Sequence, residues 1–235
     1  AHSIRHRSPM LFSALRSLRP AASALRPATP VLRPTVGNPL RYISETAAAL
    51  EAEYAKPLQW MHWIYGTGFL TCMGTVLASQ QTTGPTFLGT KGETKGTLMM
   101  IHKSTAVVLS ALLLPRVLLR ATAAAPKALP GSFPEHVVAN LSHVAMYGFM
   151  LAMPATGISM GYYGGKGVPF YGLYTFPGKA DKTKEDGQFA GKMFKWHKYI
   201  GGFLWYMVPL HVGGAVQHSL RGHTIWARIV PGIRP

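Results

Sequence analysis

The chain has 235 residues, 48% hydrophobic and only 14% charged, which is low for a soluble protein and ordinary for a small membrane protein. Its formal net charge is +16, yet no basic helix or aromatic stacking module accompanies the charge, which argues against a nucleic-acid partner. The one cysteine, Cys72, cannot form an internal disulfide. Without CxxC or CxxCH it also argues against zinc, iron–sulfur and covalently attached haem sites on cysteine, so it reads as a small buried apolar residue.

Residues 1–43 hold seven arginines, six prolines and no acid; all eight acidic residues lie at or after Glu45. An Arg-, Ser- and Ala-rich stretch without acid has the composition of a mitochondrial transit peptide. The prolines forbid a long helix and favour an extended path. Two readings stay open: a cleaved leader, with Arg41-Tyr42-Ile43 before Ser44 suiting a matrix protease, or a retained extension lying on a partner. Either one gives a mitochondrial address. Residues 44–57 then read as a short, alanine-rich juxtamembrane helix, with Ser44 as N-cap and Pro57 at its end.

Four apolar segments follow, 58–79, 97–119, 138–160 and 193–220, each of about twenty residues or more and nearly free of acid. That is the length a helix needs to cross a hydrocarbon core about 30 Å thick. The expected fold is all-α: a membrane-embedded four-helix bundle over 58–220, preceded by an extended N-terminal segment and followed by a tail, 221–235. Gly66, Gly68, Gly148, Gly201, Gly202, Gly213 and Gly214 permit close helix contacts or room for a flat cofactor. The longest connection, 161–192, carries Tyr162, Tyr163, Phe170, Tyr171, Tyr174 and Phe176 in its first half, as expected of a segment in the membrane interface.

The histidines are placed by depth. With four alternating spans, side A holds the start of the first span and side B its end. His62 lies a turn into the first span, near side A. His102 lies about a turn into the second, near side B. In the last span His197 is near side B and His211 near side A. The last two are fourteen residues apart, just under four helical turns, so they share one face at a separation of roughly 21 Å. Depth therefore pairs His62 with His211 and His102 with His197. Imidazole ligates iron well, and ionisable groups in membrane spans mark function. The expected metal ligands are His62, His102, His197 and His211, clamping two b-type haems stacked across the membrane.

His143 in the third span is also near side A, where ligation, a haem propionate contact and a quinone contact are all open to it. Propionates are anionic, so Lys103 and Lys198, with Lys195, are candidate partners on side B, and Arg116, with Arg120 and Arg221, on side A. Positive residues that merely bound the spans are an equally good account of these. His218 lies at the membrane edge, and His136 and His223 lie in flanking loops.

Several motifs, in order, resemble the prokaryotic-type cytochrome b561 family, related to the cytochrome b subunits of nickel–iron hydrogenase and formate dehydrogenase. They are Trp60-Met61-His62-Trp63; His102-Lys103-Ser104; Leu141-Ser142-His143-Val144-Ala145-Met146-Tyr147 with Pro154 and Gly157; Val168-Pro169-Phe170-Tyr171-Gly172-Leu173; and His197, Leu210-His211-Val212 and Gln217-His218. The resemblance covers roughly 58–228. It implies a four-helix dihaem membrane cytochrome that exchanges electrons with a quinone, and it supports the same four ligands.

The expected function is electron transfer across the mitochondrial inner membrane, to a quinone such as ubiquinone or to a respiratory partner. The alternative is a haem-retaining anchor subunit of a respiratory complex, packed against other subunits. A histidine-rich transporter fits less well, because these histidines sit near the two membrane edges and not along a mid-membrane path.

Overall fold

The computed structural model of the chain describes residues 53–233, all within the second of two units into which the chain divides, Ile43–Pro235. The arginine-rich stretch 1–43 and the expected short helix as far as position 52 lie outside the described residues. Glu53, Tyr54 and Ala55 carry no helix and lead directly into the first one.

The elements are α1 (Lys56–Gln81), α2 (Lys91–Thr122), α3 (Phe133–Tyr163), a hairpin of β1 (Val168–Phe170) and β2 (Tyr174–Phe176), α4 (Lys184–Leu220) and the short α5 (Ile225–Ile229). Apart from the hairpin, the described residues match the all-α expectation. The last three long helices begin before their apolar windows. The cause lies in polar first turns. Thr90 and Glu93 form a reciprocal capping box on α2, and Thr183 and Asp186 form one on α4. On α3 the Ser132 amide donates to Glu135 Oε2 at 2.9 Å. Each box satisfies amides that have no partner inside the helix, so the helix extends past the apolar stretch into the polar connection.

α1 packs along α2 and α3 along α4, with a lighter contact joining α2 to α3. The shared core is small: Tyr65, Phe69, Leu109 and Met150, flanked by Leu112, Leu113, Met146 and Tyr147. The Tyr65 hydroxyl donates to the Leu109 carbonyl. Gly68 lets this crossing close: a Cβ there would meet Leu109 Cδ2 at 2.7 Å, so the leucine side chain would have to shift. Tyr65, Leu109 and Met150 lie three, seven and seven residues after His62, His102 and His143. The core therefore forms a layer between the levels of the histidines.

The outer faces are apolar. Leu70, Leu114, Leu141, Val144, Leu151 and Tyr206 are all more than half exposed. Buried positions include the polar Gln59, His102, Ser104 and Ser142. α2 and α3 are long and apolar enough to cross a membrane, with mean hydropathies of 1.6 and 1.3 over their most apolar stretches. α1 and α4 have the length, 26 and 37 residues. Their Trp, Tyr, Gly, Thr, His and Lys content keeps them below that hydropathy, so two of the four expected spans stand out by composition.

Three helices carry a proline in their interior, beyond the first turn: Pro115 in α2, Pro154 in α3 and Pro209 in α4. Each removes one i→i−4 hydrogen bond and allows a local bend. Each also lies one or two residues before a side chain at the site below: Arg116, Thr156 and His211.

Within the connection expected over 161–192 the chain forms this hairpin. Phe170 pairs with Tyr174 across a tight turn, in which the Leu173 amide donates to the Phe170 carbonyl at 2.9 Å. Tyr171 and Gly172 both have positive φ, 47° and 73°. Positive φ at both central residues is the type I′ combination, whose twist matches that of the flanking strands. The turn is fastened to α2 through Ser104, which accepts from the Tyr171 amide at 2.8 Å and is fully buried. At the other end, α5 docks on the start of α1. Gln59 Nε2 donates to the Arg228 carbonyl at 3.0 Å and Trp63 Nε1 to the Ile229 carbonyl at 2.9 Å.

Candidate functional site

His62 on α1 faces His211 on α4, with ring centroids 6.1 Å apart and planes tilted by 40°. His102 on α2 faces His197 on α4, also at 6.1 Å, with planes at 80°. Two imidazoles on opposite sides of one metal ion, each with a metal–nitrogen distance of about 2 Å, place their centroids roughly 6 Å apart. Both pairs have that spacing, and both are the pairings expected from depth.

The His102–His197 pair has its tautomers set by hydrogen bonds. His102 Nδ1 lies 3.0 Å from the Cys72 carbonyl oxygen. A carbonyl only accepts, so Nδ1 carries the proton and the Nε2 lone pair is free. His197 Nδ1 lies 3.0 Å from Thr156 Oγ1. The Thr156 hydroxyl is itself 2.7 Å from the Ala152 carbonyl, which takes its only hydrogen. It therefore accepts from His197 Nδ1–H, and Nε2 is again free. Such hydrogen bonds orient metal-ligating histidines and raise their basicity.

Neither Thr156 nor the Cys72 carbonyl was visible as functional in the sequence. A backbone oxygen leaves no mark there, and a helical threonine ordinarily bonds its own preceding turn. The Cys72 side chain, expected to be buried, is only half-buried, with Sγ 3.6 Å from the His102 carbonyl. Gly157 gave a signal through its motif: a Cβ there would come within 3.3 Å of His197 Cε1, so the glycine makes room for the ring.

Around the His62–His211 pair the surroundings differ. Among the described residues neither ring has a hydrogen-bond partner. Gly66, one turn after His62, and Gly214, three residues after His211, share the faces of those rings, and a Cβ at either would meet nothing within 4 Å. Open space thus lies beside the pair, as a flat macrocycle would require. His143 is exposed and comes within 5.5 Å of His211, with planes at 69°. Three imidazoles therefore converge at this level, of which His62 and His211 have the separation of opposed ligands.

Arg116 supplies the charge at that end. Its guanidinium stacks over Tyr65 at 4.8 Å and faces Tyr147 at 5.7 Å. Its Nε and Nη1 are buried and have no hydrogen-bond partner among the described residues. The Tyr65 ring that it covers lies one helical turn after His62 on α1, which puts the guanidinium near the level of the His62–His211 pair. A buried cation with unused donors is a natural partner for an anionic group, such as a haem propionate.

Other candidates sit elsewhere. Lys103 is half-buried and adjoins His102 in the chain. Lys198 is exposed, its Nζ 5.9 Å from the Phe194 ring, and lines an outward groove with Tyr199, Phe203, Trp205 and Tyr206. At the C-terminal end of α4 His218 Nδ1 lies 3.0 Å from His223 Nδ1. Beside them Arg221 pairs with Glu135 at 2.8 Å.

Long apolar helices that carry opposed imidazoles at metal-ligand spacing define a class, the membrane cytochromes with b-type haem. A family model described as prokaryotic cytochrome b561 matches residues 53–232. The chain belongs to this family, whose members are membrane-integral b-haem proteins of electron transfer.

Proposed function

We propose that the protein carries electrons across a membrane through two b-type haems, one held by His62 and His211 and the other by His102 and His197. The observation that carries this reading is the equal 6.1 Å separation of two histidine pairs at two levels of α4. When bound, the haems supply one-electron iron chemistry. The chain's own residues hold and orient them. The Cys72 carbonyl and Thr156 fix two ligand rings, Gly66 and Gly214 leave room, and Arg116 meets anionic charge. The core layer of Tyr65, Phe69, Leu109 and Met150 keeps the two levels apart and dry.

All four long helices cross the bilayer in this reading. Support comes from the apolar outer faces of all four, although only α2 and α3 are apolar enough to be recognised by composition. In α1 and α4 the low hydropathy comes partly from the histidines and glycines that serve the site. The electrons are exchanged with a quinone or a respiratory partner in the mitochondrial inner membrane. The support for that address is the acid-free, arginine-rich composition of residues 1–43.

Haem analysis of the purified protein tests this. Two non-covalent b-type haems per chain are expected, both low-spin in electron paramagnetic resonance. His62→Ala and His211→Ala should abolish one of them, and His102→Ala and His197→Ala the other. A single haem, no haem, or losses that pair the histidines differently would overturn the reading.

A further inference from the structure

The two histidine pairs differ in the groups that would set the potential of a bound metal. The geometry points to a built-in redox gradient: the His62–His211 site has the higher potential and the His102–His197 site the lower, so electrons run from side B to side A. This rests on the two-haem reading above.

At the His102–His197 level both Nδ1–H groups donate, to the Cys72 carbonyl at 3.0 Å and to Thr156 Oγ1 at 3.0 Å. Donation from Nδ1 moves electron density toward Nε2. That strengthens the bond to ferric iron more than to ferrous iron and lowers the potential. At the His62–His211 level, among the described residues, no such acceptor meets either ring. Instead the Arg116 guanidinium stands nearby, with two donors buried and unpaired. A buried positive charge disfavours the extra charge of ferric iron, and by neutralising a propionate it acts in the same direction, so the potential rises.

Lys103 opposes this order, being a cation next to His102. Its flexible stem can carry the ammonium to water at side B, where solvent and salt screen it. Arg116 Nε and Nη1 are closed off from water, so the charge there is screened less and Arg116 outweighs Lys103. In the resulting step one electron passes between the sites, oxidising the iron held by His102 and His197 and reducing the iron held by His62 and His211. It needs no other reactant.

Thr156 acts through His197 and Arg116 through charge, so both are positioning or tuning residues, and their readout is a potential. The test is a potentiometric titration of the full-length protein with its haems. Two separated midpoints are expected. Arg116→Gln should lower only the higher midpoint, by a tenfold change in reduced-to-oxidised ratio or about 59 mV. Arg116→Lys, which keeps the charge, should restore most of it. Thr156→Val should raise only the lower midpoint, and Thr156→Ser should leave it near the wild-type value. The inference is overturned if the midpoints coincide, if both variants move the same haem, or if either shift has the opposite sign. Should Arg116→Gln fail to accumulate, Thr156→Val decides alone. Failure to find two haems would defeat the functional reading itself. Two haems with the wrong order of response would defeat only the gradient.

Discussion

Room beside an imidazole is decided one carbon at a time. Gly66 shares the face of His62, and the space beside its Cα is open. Filling it with Gly66→Leu is expected to expel the haem at the His62–His211 level while leaving the other, so the haem-to-protein ratio falls from two to one. His143 is the residue most open to a rival assignment, since its ring is nearer to His211 than His62 is. Its 5.5 Å approach is shorter than opposed ligands require. His143→Ala should therefore retain both haems and the low-spin signal, whereas His62→Ala should not. Haem stoichiometry of the two variants checks both statements. At this scale the sequence was informative: all four expected ligands fall into pairs. Depth alone sufficed to find these pairings, because rings can face one another only when they lie level in the bundle.

The elements show where local chemistry outruns apolar pattern. The hairpin was not foreseen, since its strands have three residues each and its signal is a Tyr-Gly turn inside an aromatic stretch. Gly172→Ala places a Cβ at φ 73° and should destabilise the turn by about 1 kcal/mol, read as a lower midpoint in thermal unfolding. Ser104→Ala removes the tie between that turn and α2, two residues from His102. It leaves the Tyr171 amide unpaired, at a cost of about 1–3 kcal/mol.

The start of α4 carries a pH-dependent tie. Lys179 Nζ lies 2.7 Å from Asp186 Oδ2, and the Thr183 amide donates to the same oxygen at 2.8 Å. The lysine first, and then the Thr183 amide, hold the Asp186 carboxyl below its ordinary pKa. Its contribution to stability is therefore full above the pKa it has when unfolded. It is lost as pH falls through the depressed folded value. The Lys179 ammonium is held above its ordinary pKa by the Asp186 carboxylate, so its own contribution is present in neutral solution and lost only in strong alkali. Hydrogen exchange across 179–190 should be protected from neutral pH down into the acid range. Asp186→Asn should remove the acid step and raise exchange at neutral pH.

At the scale of the whole molecule the prediction concerns how the four helices meet the bilayer. If all four cross, the 80–90 turn and the hairpin lie on one side, and the 123–132 connection and the C-terminal segment lie on the other. In a Cys72→Ser background, single cysteines at Thr86 and Thr175 should react with an impermeant maleimide from one face of sealed vesicles. Cysteines at Ala128 and His223 should react only from the opposite face. Labelling of Thr86 and Ala128 from the same face would show that α2 does not cross.

Composition, the spacing of apolar segments and the phase of His197 and His211 on one helix were legible from the chain alone. They follow from the repeat of the α-helix and the thickness of a bilayer, which depend on no neighbour. They were enough to place four histidines at two levels. The partners of the ring nitrogens depended on the fold, because the Cys72 carbonyl and Thr156 become neighbours of His102 and His197 only after α1 has packed on α2 and α3 on α4. The enclosure of Arg116 Nε and Nη1 is likewise a tertiary fact: an arginine near a helix end ordinarily reaches water, and here aromatic rings from α1 and α3 lie against it. Side chains at similar depth can be found by counting residues. What each one faces across a helix crossing is settled by packing.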